Sequence, residues 1–454
     1  MMRTTHRFIL ALGMVAILSS TAAAAERPPN ILFFLADDLG WMDLGCYGST
    51  FYESPTLDRL ARDGIRFTNA YTAGTVCAPT RSSIITGQAT ARHGCTDWTG
   101  KLTDPSSHFT LARALNEGGY QTFHTGKWHV GGTTPEQEGF GLYEELLPSH
   151  DAKNDPKKTR QMTNHTLAFL EQINRDRPFF AYVCYHAVHT PLKEREDLVD
   201  KYRAKLTTDP PKSRGPKGLE KERDRGNKQV QNVPQFAAMV EGIDISVRRI
   251  LKSLADKGLD GNTIVIFSSD NGGLSTKGCT SNLPLRAGKG WAYEGGIRVP
   301  LIVKWPGQIK PKQTTDVPVV SMDFYPTLLE VAGLPLRPKE HVDGTGLRGL
   351  LTAGKAPERD TLYWHYPHYH GGGCIPVGAM REGRYKIVHW FGEERYELYD
   401  LETDLSELRD ISKEFPELLD RLTKKLTAWQ QSIPDIKYDN PNGWGRKKRK
   451  KKTE

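Results

Sequence analysis

Six consecutive apolar residues, Ile31-Leu32-Phe33-Phe34-Leu35-Ala36, run directly into two aspartates, Asp37-Asp38. A short, uniformly apolar run of this kind predicts a strand buried on both faces, the habit of parallel sheets covered by helices. Phe179–Tyr185, Thr263–Phe267 and Leu301–Val303 have the same texture. Between such runs lie segments that read as helices, at Thr56–Asp63, Thr110–Glu117, Met162–Asn174 and Gln235–Lys257. Strands alternating with helices predict an α/β fold: a mostly parallel, doubly wound central sheet sandwiched by helices.

The texture changes near Pro335. Short strand-like pieces follow at Thr361–Tyr366, Val377–Arg381, Tyr385–Val388 and Glu397–Asp400, then an amphipathic helix at Glu414–Gln431. We therefore expect an α/β domain over 26–335 and a smaller antiparallel sheet with one helix over 336–440. Residues 193–228 are polar, with Asp209-Pro210-Pro211 among many charges, and read as an exposed insertion. At the amino terminus, Arg3 and Arg7 precede the apolar run Phe8–Leu18 and the small residues Thr21-Ala22-Ala23-Ala24-Ala25. That is the pattern of a cleaved signal peptide over 1–25. The apolar run is too short for a bilayer span, which takes about 20 residues, so no transmembrane segment is expected. The mature chain should be exported, to a periplasm or beyond.

The 454 residues carry 62 Lys and Arg against 54 Asp and Glu, a formal charge of +8. Such a balance invites a nucleic-acid partner. The distribution argues against one. Arg446–Glu454 holds seven basic residues and one acid, and the leader holds two more bases, so residues 26–445 are neutral. Residues 441–454 read as a disordered basic tail. The six cysteines form no C-x-x-C pair, which excludes a zinc ribbon or a thioredoxin-like motif. Their even number permits disulfides in an exported chain, without saying which.

Two of the predicted strands end in similar pairs, Asp37-Asp38 and Asp270-Asn271. Ligands of open parallel sheets bind beyond the carboxyl ends of the strands. Neighbouring strands would bring three carboxylates and an amide oxygen together there, and like charges so close need a cation. All-oxygen ligation suits a hard ion, Ca²⁺ better than Mg²⁺, since Mg²⁺ keeps more of its waters. Alternatively, each acid simply caps a turn.

A second cluster is Cys77-Ala78-Pro79-Thr80-Arg81. Pro79 suits the first turn of a helix and Gly87 its end, predicting a helix over Pro79–Thr86. Cys77 would then stand at the helix amino terminus, where free N–H groups favour an anion, with Arg81 one turn on. A buried structural cysteine is the commoner fate of this residue type.

Cys77-x-Pro-x-Arg81 resembles the signature of the formylglycine-dependent sulfatases, the arylsulfatase type of the alkaline phosphatase-like superfamily. Other segments follow in family order: Pro29-Asn30-Ile31 through Asp37-Asp38-Leu39-Gly40, Ser54-Pro55-Thr56-Leu57-Asp58-Arg59, Thr86-Gly87, Gly126-Lys127-Trp128-His129, His189-Thr190-Pro191, Asp270-Asn271-Gly272, and Gly288-Lys289 through Pro300. The likeness covers most of Pro29–Leu334 and more loosely reaches Tyr399-Asp400-Leu401. It departs at Gln88, where the family often has arginine.

The resemblance implies that a maturation enzyme oxidises Cys77 to formylglycine, and that Asp37, Asp38, residue 77, Asp270 and Asn271 hold a Ca²⁺. Arg81, Lys127 and Lys289 would neutralise the oxygens of a sulfate monoester. One hydroxyl of the formylglycine hydrate, activated by the metal and Asp270, would attack sulfur. His189, helped by Lys289, would protonate the leaving alcohol, giving a sulfate ester on residue 77. His129 would take the proton of the second hydroxyl, and collapse to the aldehyde would expel sulfate. His186, three residues before His189, competes for the acid's role but lacks the family's His-x-Pro setting.

Trp364-His365-Tyr366-Pro367-His368-Tyr369-His370, followed by three glycines, forms an aromatic and imidazole-rich loop. Together with Trp98, its His368 and His370 are candidates for contact with the sugar of a sulfated saccharide. Competing readings are a phosphodiesterase or phosphonate hydrolase of the same superfamily, or an unmatured protein that binds sulfated glycans without turnover.

Overall fold

The computed structural model describes residues 27–146, 151–393 and 395–433. The expected leader and basic tail lie outside the described residues. The core is an eight-stranded sheet whose strands, from edge to edge, are Gln313–Thr315, Ile65–Phe67, Leu301–Lys304, Thr263–Ser269, Asn30–Ala36, Phe179–Cys184, Gln121–Gly126 and Leu142–Glu144. Asn30–Ala36 is fully buried and pairs in parallel with both neighbours.

Side chains alternate across this strand, and each face has its own helical layer. Leu32, Phe34 and Ala36 belong to a cluster that takes in buried residues of Thr159–Gln172 and Pro234–Asp256. Ile31, Phe33 and Leu35 belong to a second cluster with residues of Cys77–Thr86, Leu111–Glu117 and Phe324–Ala332. Asp244, on Pro234–Asp256, ties that helix to its neighbour in the same layer: one of its oxygens accepts the Thr56 and Leu57 amides, at 2.8 and 2.9 Å, and so caps the helix Pro55–Arg62.

One strand differs from expectation. Leu301–Lys304 runs antiparallel to both Thr263–Ser269 and Ile65–Phe67, and is the single reversed strand of this sheet. Its apolar texture carries no direction. The chain leaves Ser269, folds over the carboxyl ends of the strands through residues 270–300, and re-enters the sheet opposite Ser268, so it must run back. The polar stretch 193–228 also differs from a purely exposed insertion. It contains the helix Glu196–Thr208, which buries Leu198, Val199 and Tyr202, and a small hairpin whose buried Glu222 grips Arg286 through two oxygens at 2.6 and 3.1 Å.

Thr361–Tyr366, Val377–Glu382, Tyr385–Trp390 and Arg395–Asp400 form an antiparallel four-stranded sheet, in that order, covered by the helix Pro416–Gln431. Trp291, Tyr293, Trp364, Trp390 and Tyr399 share one buried cluster that joins this sheet to the α/β layers. The Trp364 indole N–H donates to the Thr72 carbonyl at 2.7 Å. All six cysteines are free thiols.

His124, on the strand Gln121–Gly126, is fully buried among Trp128, Phe140 and Tyr182, and both its ring nitrogens lack partners. Burial, assisted by Arg81, pushes its pKa down to about 3, so it is neutral in the folded protein. In the unfolded chain it titrates near its ordinary 6.5. Below that value the unfolded state binds a proton the native state refuses, and stability falls with pH until about 3. The His124→Phe variant should therefore lose less Tm than the parent between about pH 7 and about pH 5, measured by thermal unfolding. Equal losses would show that His124 does not contribute.

Candidate active site

Strand register builds the site. Ala36 pairs with Ser269, so Asp37 and Asp270 leave adjacent strands at the same level, and the Asp270 amide donates to the Ala36 carbonyl at 3.2 Å. On the other side Gly126 pairs with Cys184, and the next residue, Lys127, donates its amide to the Cys184 carbonyl at 2.8 Å. The two acidic pairs and Lys127 thus gather at the carboxyl ends of neighbouring parallel strands.

Cys77 is the first residue of the helix Cys77–Thr86, two residues earlier than expected, and the helix stops at Gly87 with φ 68°. Cys77, Asp37 and Asp270 are all buried and each offers a ligand atom within 4.8 Å of the others. Asp38 joins through its amide, which donates to Asp270 Oδ1 at 3.1 Å, and through Oδ1, which accepts the Asn271 side-chain amide at 2.8 Å. Asp38 has φ 65°, a left-handed conformation that a non-glycine residue adopts at a cost of order 1–3 kcal/mol.

Three cations oppose the three carboxylates. Arg81 Nε donates to Asp270 Oδ2 at 2.7 Å, Lys127 Nζ to Asp37 Oδ2 at 2.7 Å, and Lys289 Nζ to Asp38 Oδ1 at 2.5 Å. Burial alone would raise the Asp37 carboxyl, but Lys127 and Arg81 outweigh it and hold it well below the ordinary range. Asp38 is lowered in the same way, its burial outweighed by Lys289. Burial raises the Cys77 thiol, against the pull of Lys289 and Lys127.

The polar atoms left over are informative. Asp37 Oδ1, Asp38 Oδ2 and Asn271 Oδ1 are buried and accept no hydrogen bond, and Arg81 Nη2 donates none. Buried polar groups are normally satisfied. Three unpartnered oxygens beside a thiol fit a hard cation, and the free guanidinium nitrogen beside them fits an anion.

His129 and His189 have different settings. His129 Nε2 meets the Trp98 carbonyl at 2.7 Å, which assigns the proton to Nε2 and leaves Nδ1, buried and unpartnered, as the basic nitrogen. Burial, then Lys127 and Arg81, depress its pKa to about 4. His189 Nδ1 donates to the Thr190 carbonyl at 2.6 Å, and its Nε2 points to Asp38 Oδ2 at 3.9 Å. His186 is half-buried and offers its backbone carbonyl to the His189 amide at 3.1 Å.

The tail-domain loop reaches this site. His370 packs so closely on Gly290 that a Cβ there would stand 2.0 Å from Nδ1, and Gly290 adjoins Lys289. His368 Nε2 is hydrogen-bonded to the Thr96 hydroxyl at 2.9 Å, and the Tyr366 hydroxyl donates to Asp97 at 3.1 Å. The next residue, Trp98, is exposed, while its carbonyl holds His129. Loop 95–98 therefore ties His129 to His368 and the aromatic strand.

Sequence reasoning passed over Lys157. It is buried, and its ammonium donates to the His189 carbonyl at 2.5 Å. Burial lowers its pKa, while Asp37 and Asp38 pull the other way. A polar loop lysine offers no periodicity or motif by which to find it.

The carboxyl-end cluster on a helix-covered parallel sheet defines a hydrolase-type site for an anionic ester. The Sulfatase family profile matches residues 29–334, and the profile of the carboxyl-terminal region of N-sulphoglucosamine sulphohydrolase matches 287–432. A sulfatase of Formosa agariphila is 31% identical over an alignment spanning 96% of this chain and 94% of that protein. Human arylsulfatase A is 31% identical over 81% of this chain and 76% of its own length. The crystal structure of Ps i-CgsB in complex with k-i-k-neocarrahexaose superposes with a TM-score of 0.76 at 26% identity, covering 92% of this chain and 96% of that one. The chain belongs to the sulfatase family and is a sulfuric ester hydrolase.

Lys157 holds the turn that carries His189, so Lys157→Met should lower kcat for an aryl sulfate about tenfold, the effect of ~1.4 kcal/mol, with a smaller change in KM. Lys157→Arg should recover part of the loss. A Lys157→Met enzyme with unchanged kcat would show that this contact does not position His189.

Proposed function

We propose that the protein hydrolyses sulfate monoesters of carbohydrates, using formylglycine made from Cys77 and a Ca²⁺ held by Asp37, Asp38, Asp270, Asn271 and residue 77. The carrying observation is the set of buried oxygens on Asp37, Asp38 and Asn271 that lack donors beside the Cys77 side chain. When present, formylglycine supplies a hydrated aldehyde as nucleophile, and Ca²⁺ supplies positive charge for the sulfate oxygens.

The remaining work falls to side chains. Three acids and three bases nearly cancel, so a divalent cation would leave the site positive and selective for an anion. Arg81, through its free Nη2, and Lys127 and Lys289 bind sulfate oxygens and stabilise charge moving onto them. His129, neutral with Nδ1 unprotonated, takes a proton from residue 77. His189 gives one to the departing alcohol, its Nδ1–H anchored on Thr190 and its Nε2 directed to the site. Lys289 supports that transfer by holding Asp38.

A carbohydrate alcohol is supported by the exposed Trp98 and by His368 and His370 at the rim, and by the neocarrahexaose named for the Ps i-CgsB complex. The proposed leader at 1–25 would deliver the enzyme to an exported location, where a maturation enzyme acts on Cys77. Among the described residues no helix is long and apolar enough to cross a membrane.

Four measurements test this reading. The purified protein should turn over 4-nitrophenyl sulfate far faster than 4-nitrophenyl phosphate, and peptide mass analysis should show residue 77 lighter than cysteine. Cys77→Ala should abolish turnover. Preference for the phosphate would replace the reading with phosphoester or phosphonate hydrolysis, and an unmodified thiol throughout would remove the assigned nucleophile. Prolonged dialysis against a calcium chelator should lower both Tm and activity, and Ca²⁺ should restore them. Loss of neither would contradict the metal assignment.

A further inference from the structure

The loop that brings His370 to the site brings further positive charge with it. Lys277 Nζ lies 3.3 Å from where a Cβ on Gly371 would stand, and Thr276 Oγ1 lies 2.8 Å from the equivalent point on Gly372. The Thr276 hydroxyl is buried and has no partner, so its hydrogen-bonding capacity is unused. The Gly372 amide donates to His370 Nδ1 at 3.1 Å, which leaves the proton on Nε2 as a donor.

Because His370 packs on Gly290, next to the Lys289 that holds Asp38, the meeting of the 370–372 loop with Thr276 and Lys277 lies beside the catalytic cluster. Lys277 is exposed and, among the described residues, forms no ion pair, so its ammonium is available to an anion. One unpaired ammonium group, an unpartnered hydroxyl and an imidazole N–H thus meet next to Lys289 with no structural task among themselves.

We propose that Lys277, Thr276 and His370 form a second anion subsite, which binds a further sulfate or carboxylate on the same saccharide as the scissile sulfate. The inference rests on the sulfatase reading and narrows it: the substrate is a polyanionic saccharide rather than a singly sulfated one. Glycines at 371 and 372 belong to the subsite, because any side chain there would occupy the space beside Lys277 or Thr276. The extra charge also steers anionic chains toward a recessed centre.

The test uses hexose and hexosamine sulfates in pairs, each pair comprising one monosulfate and the same sugar bearing a second sulfate. Binding to the Cys77→Ala protein is measured by calorimetry, and kcat/KM is measured with the mature enzyme. At least one pair should show a tenfold or greater preference for the disulfate. Adding Lys277→Ala should erase most of that preference, chiefly through Kd and KM, and Lys277→Arg should retain it. Thr276→Val should reduce it less. Preference absent from every pair, or present and untouched by Lys277→Ala, overturns the subsite. If 4-nitrophenyl sulfate is hydrolysed in that case, the sulfatase reading survives the loss. If neither it nor any saccharide sulfate is hydrolysed, the underlying reading falls and takes the subsite with it.

Discussion

Three carboxylates, Asp37, Asp38 and Asp270, are buried together at one end of a parallel sheet, and most of the surrounding structure answers that fact. Burying one unpaired carboxylate is costly, and burying three side by side is prohibitive without compensation. Arg81, Lys127 and Lys289 supply it, and they arrive from three separate segments: a helix, a strand end and the loop over the sheet. Each cation has one acid as its nearest partner, and Arg81 also stands 4.0 Å from Asp37. The compensation is incomplete by the count of hydrogen bonds, since an oxygen remains open on Asp37, on Asp38 and on Asn271. Those open oxygens are the ones our proposal gives to a metal, with the anion on the cations around them.

The loop over the sheet must thread between the acids and the small domain, and glycines make this possible. A Cβ on Gly272 would meet the Gly295 carbonyl oxygen at 1.9 Å, and one on Gly288 would meet the Gly273 carbonyl oxygen at 2.2 Å. This close stacking lets Asn271 and Lys289 share Asp38. Further along the loop, Glu294 is buried against Lys386 at 3.0 Å, and Lys386 also meets Glu407 at 2.8 Å. Removing either partner would strand a buried charge, so the network fixes the loop to the small domain. The Arg286 guanidinium adds a second tie, lying 3.9 Å over the Tyr293 ring while it grips Glu222. The small sheet is therefore part of the site's frame, and its 366–373 loop forms one wall.

Much of this was legible in the residues alone. The apolar run ending in Asp37-Asp38 announced a buried strand with chemistry at its carboxyl end, and the two acidic pairs foretold a shared site. That worked because a strand buried on both faces has a uniform composition and because parallel neighbours end together. Direction was not legible: Leu301–Lys304 reads like its neighbours and runs the other way, since an apolar strand carries no sign of which end the chain enters. The stretch 193–228 concealed a helix because its three buried residues are diluted by charge. Lys157 was invisible for a related reason, as nothing local distinguishes a buried lysine from a surface one.

By itself, the sequence determined the elements, the order of the functional segments and the chemical types available: acids after strands, a cysteine opening a helix, and paired lysine and histidine after a third strand. Those are local properties, set by periodicity and by what each residue can do. Only the tertiary structure decided which acid each cation answers, which oxygens remain open, and which nitrogen of His129 is free. It also decided that Lys277 and the loop carrying His370, more than 90 residues apart, meet beside Lys289. Such facts depend on register between strands distant in sequence and on the packing of one domain against another, and no local pattern encodes either.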